Sequence, residues 1–222
     1  MVWTIAGTGM RAGLGAALLG LAAAPVLADV KAGVDAWSTG DFARAVAEWR
    51  LPAANGDADA MFNMAQAYRL GRGVPEDAKQ AEALYARAAA KGHLKAADNY
   101  GLLLFQDGRR EQAMPYVTAA AERGDPRAQY LIGIAHFNGD LAAKDWVRAY
   151  ALMSRASSAG MASASRSLSQ MDQYIPIEQR QAGTVLAAEL EQRADRASTP
   201  LAAGLPIDTS PAMPKIAPVE LP

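Results

Sequence analysis

The chain has 222 residues, 22 basic against 23 acidic, and a formal charge of −1. That balance offers no basic excess for nucleic acid and no charge block for a membrane surface. It contains no cysteine, which excludes disulfides, thiolate metal sites, cysteine nucleophiles and a lipid-modified N-terminal cysteine.

Residues 1–28 read as a secretory signal. Arg11 is the only charge before Asp29, the run Ala12 to Ala24 is small and apolar, and Val26-Leu27-Ala28 offers a cleavage site after Ala28. The apolar core is short and glycine-rich, whereas a span needs ~20 apolar residues. Cleavage would leave 21 basic and 23 acidic residues. The expected location is the periplasm or outside the cell, with no stable membrane span.

Residues 29–56 form an incomplete first unit: a short helix over Val30 to Ser38, a turn at Thr39-Gly40-Asp41, and a second helix over Phe42 to Ala54. Phe42, Ala45, Val46 and Trp49 share one face at helical spacing. Pro52 should kink or end that helix. Fuller units follow at 57–92, 93–124 and 125–160, and 161–196 reads as a C-terminal cap. In the cap Pro176 opens a last helix to about Arg196, with Val185, Leu186 and Leu190 as its apolar stripe. Residues 197–222 are proline-rich and poor in charge, and are expected to be a disordered tail or linker.

The units share a register. A glycine closes them at Gly56, Gly92, Gly124 and Gly160, at spacings of 36, 32 and 36 residues. Eleven positions before each stands Ala45, Ala81, Ala113 or Ala149, and four after each stands Ala60, Ala96, Ala128 or Ala164. Eight after come Met64, Tyr100, Ile132 and Leu168, all apolar. Self-similarity at a fixed period marks a stacked solenoid, in which small residues let helices approach and large ones fill the joints. Gly101 and Gly133 lie inside helices, at the slot Ala65 holds in the first full unit, and imply a close facing helix.

No constellation of chemistry stands out. Gly71-Arg72-Gly73 follows a helix, not the strand that a dinucleotide-binding loop needs. His93 and His136, the two histidines, lack partners at metal or general-base spacing. Asp57, Glu76, Asp77, Asp125 and Asp145 stand at turns and helix starts, where they cap and complement the helix dipole. The serines from Ser154 to Ser169 have no nucleophile elbow and read as a close helix contact. The expectation is a protein that is not an enzyme and uses no cofactor or metal.

What remains is surface. In helical-repeat proteins the first helices line the concave face. Their turn-facing positions here are Phe62, Gln66 and Arg69, then Asp98, Leu102 and Phe105, then Tyr130, Ile134 and Phe137. If exposed together they make an apolar groove with Arg69 and Asp98 as polar handles, suited to a protein or peptide partner. The alternative is that they pack on the neighbouring unit.

Met64, Ala65 and Tyr68, the turn Gly71-Arg72-Gly73-Val74-Pro75-Glu76-Asp77, and Ala81, Tyr85, Ala88, Ala89 and Gly92 together resemble the Sel-one-like repeat (SLR) family, a relative of the tetratricopeptide repeat. The resemblance covers roughly residues 33 to 172. It departs in the middle unit, where only Gln106-Asp107-Gly108-Arg109 remain of the turn, and in the place of Tyr68, which Leu104 takes in the middle unit and His136 in the unit 125–160. It implies an all-α, right-handed superhelical solenoid of stacked antiparallel helix pairs that acts as an adaptor for a protein partner. Its secreted relatives imply cell-envelope or division processes, and some carry a sporulation-related (SPOR) wall-binding domain after a proline-rich linker. They leave two alternatives: a spacer for such a module, or a protein that binds or hydrolyses peptidoglycan or a β-lactam.

Overall fold

The computed structural model describes residues 29–198. These form α1 (Val30–Ser38), α2 (Phe42–Ala54), α3 (Ala58–Leu70), α4 (Ala78–Ala90), α5 (Leu94–Gln106), α6 (Arg110–Glu122), α7 (Pro126–Asn138), α8 (Trp146–Ser158), α9 (Ala162–Met171) and α10 (Ile177–Ser198), with no strand among the described residues. The expected signal at residues 1–28 and, of the expected tail at 197–222, all but residues 197 and 198 lie outside them. The last helix runs past Arg196 to Ser198, so the helical array ends slightly later than the composition suggests.

The repeat register has a direct structural cause. Gly56, Gly92, Gly124 and Gly160 all take positive φ, between 86° and 98°. At each, the following residue's N–H turns back to the carbonyl five positions earlier: Asp57 to Pro52, His93 to Ala88, Asp125 to Ala120, Met161 to Ala156, at 3.0–3.1 Å. This is the hydrogen bond that closes a helix whose end residue is left-handed, and glycine takes that conformation without a Cβ penalty. All eight alanines of the register are 0% exposed. A larger side chain at any of them would have no room between the paired helices.

Within the units the turns come in two lengths. Residues 71–77 and 139–145 make long ones, closed by Asp77 N–H to the Tyr68 carbonyl (3.0 Å) and Asp145 N–H to the His136 carbonyl (2.9 Å). Residues 107–109 make a short one, closed by Arg109 N–H to Leu104 (2.9 Å). Tyr68, Leu104 and His136 thus share a slot through their backbone, whatever their side chains. Asp57, Asp77, Asp125 and Asp145 accept N-cap hydrogen bonds as expected. Glu76 does not, because α4 starts at Ala78 and Asp77 is its cap.

Helices α1 to α9 pack chiefly on their chain neighbours, while α10 folds back onto α8. Two cores result, one across α1–α5 and one from α5 onward, with Tyr100 packed against both. The stripe expected on α10 is partly wrong: Val185 is 62% exposed. The contact with α8 uses a small residue instead, Gly183, where a Cβ would stand 2.9 Å from Tyr150 Cβ.

Candidate functional site

The proposed groove residues do not form one exposed strip. Phe62, Leu102, Tyr130, Ile134 and Phe137 are only 1–6% exposed. Phe62 stacks on His93 at 4.6 Å and tilts against Tyr85 at 6.0 Å. Phe137 sits between Trp146 and Tyr174, both at 6.2 Å. Phe105 is half-buried under the Arg110 guanidinium, 5.5 Å from its ring. The reason is that α3 and α7 are covered almost all round, so residues aimed away from one neighbour meet another. The aromatic members hold the units together. Of the nine, Gln66, Arg69, Asp98 and Phe105 keep partial exposure.

Two of the polar members, Gln66 and Arg69, do gather, around Tyr85. Tyr85 is fully buried on α4, and its hydroxyl donates to Gln66 Oε1. Arg69 Nε donates to the same oxygen (3.1 Å) and to the Tyr85 hydroxyl (3.3 Å). Burial pushes the Tyr85 phenol up to about 12, against the pull of the Arg69 and Arg127 cations, so it is a neutral donor at neutral pH. Arg69 Nη2 is buried with no hydrogen-bond partner. Asp98 pairs with Arg123 from α6 and the adjoining turn. Burial holds the Asp98 carboxyl above the usual carboxylate range even with Arg123 beside it.

Beside Arg69 an open cleft of about 440 Å³ lies between α3, α4, α5 and α7. Its walls include Lys79 and Glu82 from α4, Leu102, Leu103 and Gln106 from α5, Asp107 from the short turn, and Arg127 from α7. Arg109 reaches both Glu82 (2.8 Å) and Asp107 (2.9 Å), and its hydrogen bond holds the Glu82 carboxyl below its ordinary range. Sequence reasoning found Arg69 and Leu102 here and missed Lys79, Glu82 and Arg127. Lys79 and Glu82 are one turn apart on α4, a weak signal that any exposed helix face gives.

The histidines are engaged structurally. His93 caps α5, its Nδ1 accepting the Ala96 N–H at 3.0 Å, and its Nε2 lies 3.3 Å from Asp59. His136 Nδ1 lies 2.9 Å from the Ala143 carbonyl and pins the long turn. Across the α8–α9 contact Ser157 and Ser165 share a hydrogen bond of 2.8 Å, with Ser167 buried. No cluster of metal-ligating side chains occurs among the described residues, and no helix there is long and apolar enough to cross a membrane.

Helix hairpins at a regular repeat, each touching its neighbours, define a helical-repeat protein whose units cannot bury their faces alone. The Sel1 repeat matches residues 58–93 and 126–161, so the chain carries Sel1-like repeats over those two units. The short-turn unit between these matches is the one that lacks four turn residues. In fold the chain is similar to a protective antigen present in uropathogenic Escherichia coli strains that displays an SLR fold. That likeness has 21% identity and a TM-score of 0.50, over 76% of this chain and 46% of the other. It is also similar to a Sel1 repeat protein from Oxalobacter formigenes, with 24% identity and a TM-score of 0.54, over 63% of this chain and 57% of the other. The chain thus spans about half the length of these two proteins. No curated protein sequence matches it. Sel1 repeat proteins generally mediate protein–protein interaction, and the repeat is typically a non-catalytic scaffold.

Proposed function

We propose that the chain is a non-enzymatic scaffold of the cell envelope, which holds a partner protein or peptide against the face carrying the Gln66–Arg69–Tyr85 network. The observation that carries this is the open cleft of about 440 Å³ beside Arg69, where polar and apolar side chains from three successive units converge. Convergence of that kind is what a repeat array offers to an extended ligand. Export is supported by the signal-like residues 1–28 and by Asp29, which caps α1 at the expected cleavage point.

The test has two parts. N-terminal sequencing of chain recovered from the envelope fraction should begin at Asp29. Affinity capture from that fraction, followed by reconstitution with the purified partner, should give saturable binding. Failure of every captured protein to bind on reconstitution would overturn the scaffold reading, as would turnover of a muropeptide or β-lactam by the purified chain. Changing Phe62 or Phe137 to alanine is unsuitable as a probe of the groove, because both rings are core.

A further inference from the structure

The charges around the cleft are not balanced pair by pair. Glu82 and Asp107 are both held by Arg109. Arg127 is held by Asp125, Nη2 to Oδ2 at 2.7 Å and Nε to Oδ1 at 3.2 Å. Asp98 is held by Arg123. Four carboxylates thus share three cations, with Arg109 serving both Glu82 and Asp107. Two cations of the lining have no carboxylate among the described residues. Arg69 binds only the neutral Gln66 and Tyr85 and leaves Nη2 buried without a hydrogen-bond partner. Lys79, exposed in the first turn of α4, makes no ion pair. The cleft lining also includes Leu102 and Leu103.

A buried guanidinium N–H without an acceptor is costly, and an incoming carboxylate is the acceptor that gains most from it, through a charge-assisted hydrogen bond. Lysine contributes a second, more mobile point of positive charge. We propose that the cleft binds an acidic peptide segment of a partner, in which Asp or Glu side chains alternate with apolar residues. One carboxylate meets the Arg69 side chain where it lines the cleft, another meets the Lys79 ammonium, and the apolar side chains rest against Leu102 and Leu103. Side-chain carboxylates are favoured over a terminal one because the two unpaired cations come from two different helices. This inference rests on the scaffold reading and gives its partner a chemical class.

The probe is an N-acetylated, C-amidated, fluorescently labelled dodecapeptide with two glutamates and two leucines among serines and glycines. It is compared with the same peptide carrying glutamine for glutamate, and with that glutamine peptide as a free C-terminal acid. Anisotropy titrations use the full chain at low and moderate salt. The glutamate peptide is expected to bind about tenfold more tightly than the amidated glutamine peptide, with the difference shrinking as salt rises. Lys79→Glu, at an exposed position with no ion pair to break, should abolish the preference while circular dichroism stays unchanged. Arg69→Gln should weaken it.

Equal binding of the two amidated peptides, binding of neither, or an intact preference in Lys79→Glu would overturn the inference. So would tightest binding of the free-acid glutamine peptide, which would assign the cleft to chain termini. A natural partner that binds Lys79→Glu as well as the unaltered chain would leave the scaffold reading standing while removing this one. Absence of any reconstitutable partner would remove the scaffold reading itself.

Discussion

Gly101 on α5 lies so close to Tyr116 on α6 that a Cβ at position 101 would stand 2.5 Å from the Tyr116 Cβ and 3.2 Å from the Val117 nitrogen. Gly133, at the corresponding place on α7, is less confined. A Cβ there would meet the Met153 methyl at 3.3 Å and the Ala149 carbonyl at 3.4 Å. The first obstacle is rooted in the backbone and the second is the free end of a flexible chain. Gly101→Ala is therefore expected to force α5 and α6 apart and cost about 1–3 kcal/mol. Gly133→Ala should change stability by less than about 1 kcal/mol, because better helix propensity offsets the small displacement of Met153. Gly133→Leu should again cost about 1–3 kcal/mol. Urea unfolding of the three variants checks the ordering, and an unchanged midpoint for Gly101→Ala would contradict the α5–α6 packing.

His93 gives the fold a pH dependence. Burial holds its imidazole below the ordinary value of 6.5, opposed by the charges of Asp59 and Asp57 and reinforced by Lys95. The neutral ring is needed, since Nδ1 accepts the Ala96 N–H and Phe62 stacks on its face. A histidine whose folded pKa is depressed binds its proton more readily in the unfolded chain. Its effect is nil above the unfolded value and turns against the fold as pH falls through 6.5 toward the folded value. Stability should therefore fall from pH 7.5 to pH 5.5, and more steeply in the unaltered chain than in His93→Asp, which supplies a carboxylate cap. Equal slopes would show that His93 does not carry the effect.

Arg123 holds a carboxylate that burial disfavours. Asp98 has its pKa raised by burial although Arg123 lies against it, so the pair suppresses a larger shift. Arg123→Ala should cost on the order of 1–3 kcal/mol at neutral pH by leaving a half-buried charge unpaired. Because a raised carboxyl pKa favours the fold when protonated, much of that loss should return as pH falls toward 4. Asp98→Asn in the Arg123→Ala background should restore stability at pH 7. A loss independent of pH would mean that Arg123 acts through packing alone.

Much of this architecture could be read from the chain because its cause is local. The glycines at 56, 92, 124 and 160 take the φ their positions require, and the alanines at fixed offsets are all fully buried. The sidedness of the groove was not legible. Offsets along a first helix assume one free face, yet Phe62, Tyr130 and Phe137 find neighbours on that face, because α3 and α7 are covered nearly all round. Nor could spacing show that Glu82 and Asp107 are both taken by Arg109, 27 residues from Glu82. That pairing depends on the short turn, which places Arg109 near α4, and it leaves Arg69 and Lys79 without acids. On α10 the large Val185 suggested the contact, whereas the close approach to α8 needed Gly183.

The most direct test of the account is site-specific photo-crosslinking of the full chain in its own cell. The crosslinking residue is placed at Ala78 or Gln106, which are exposed and line the cleft, or at Leu51 or Val185, which are exposed and lie outside it. The account predicts that Ala78 and Gln106 trap the same envelope protein, through an acidic segment identified by mass spectrometry, and that Leu51 and Val185 do not. The same partner trapped equally from all four positions, or only from Leu51 and Val185, would contradict it.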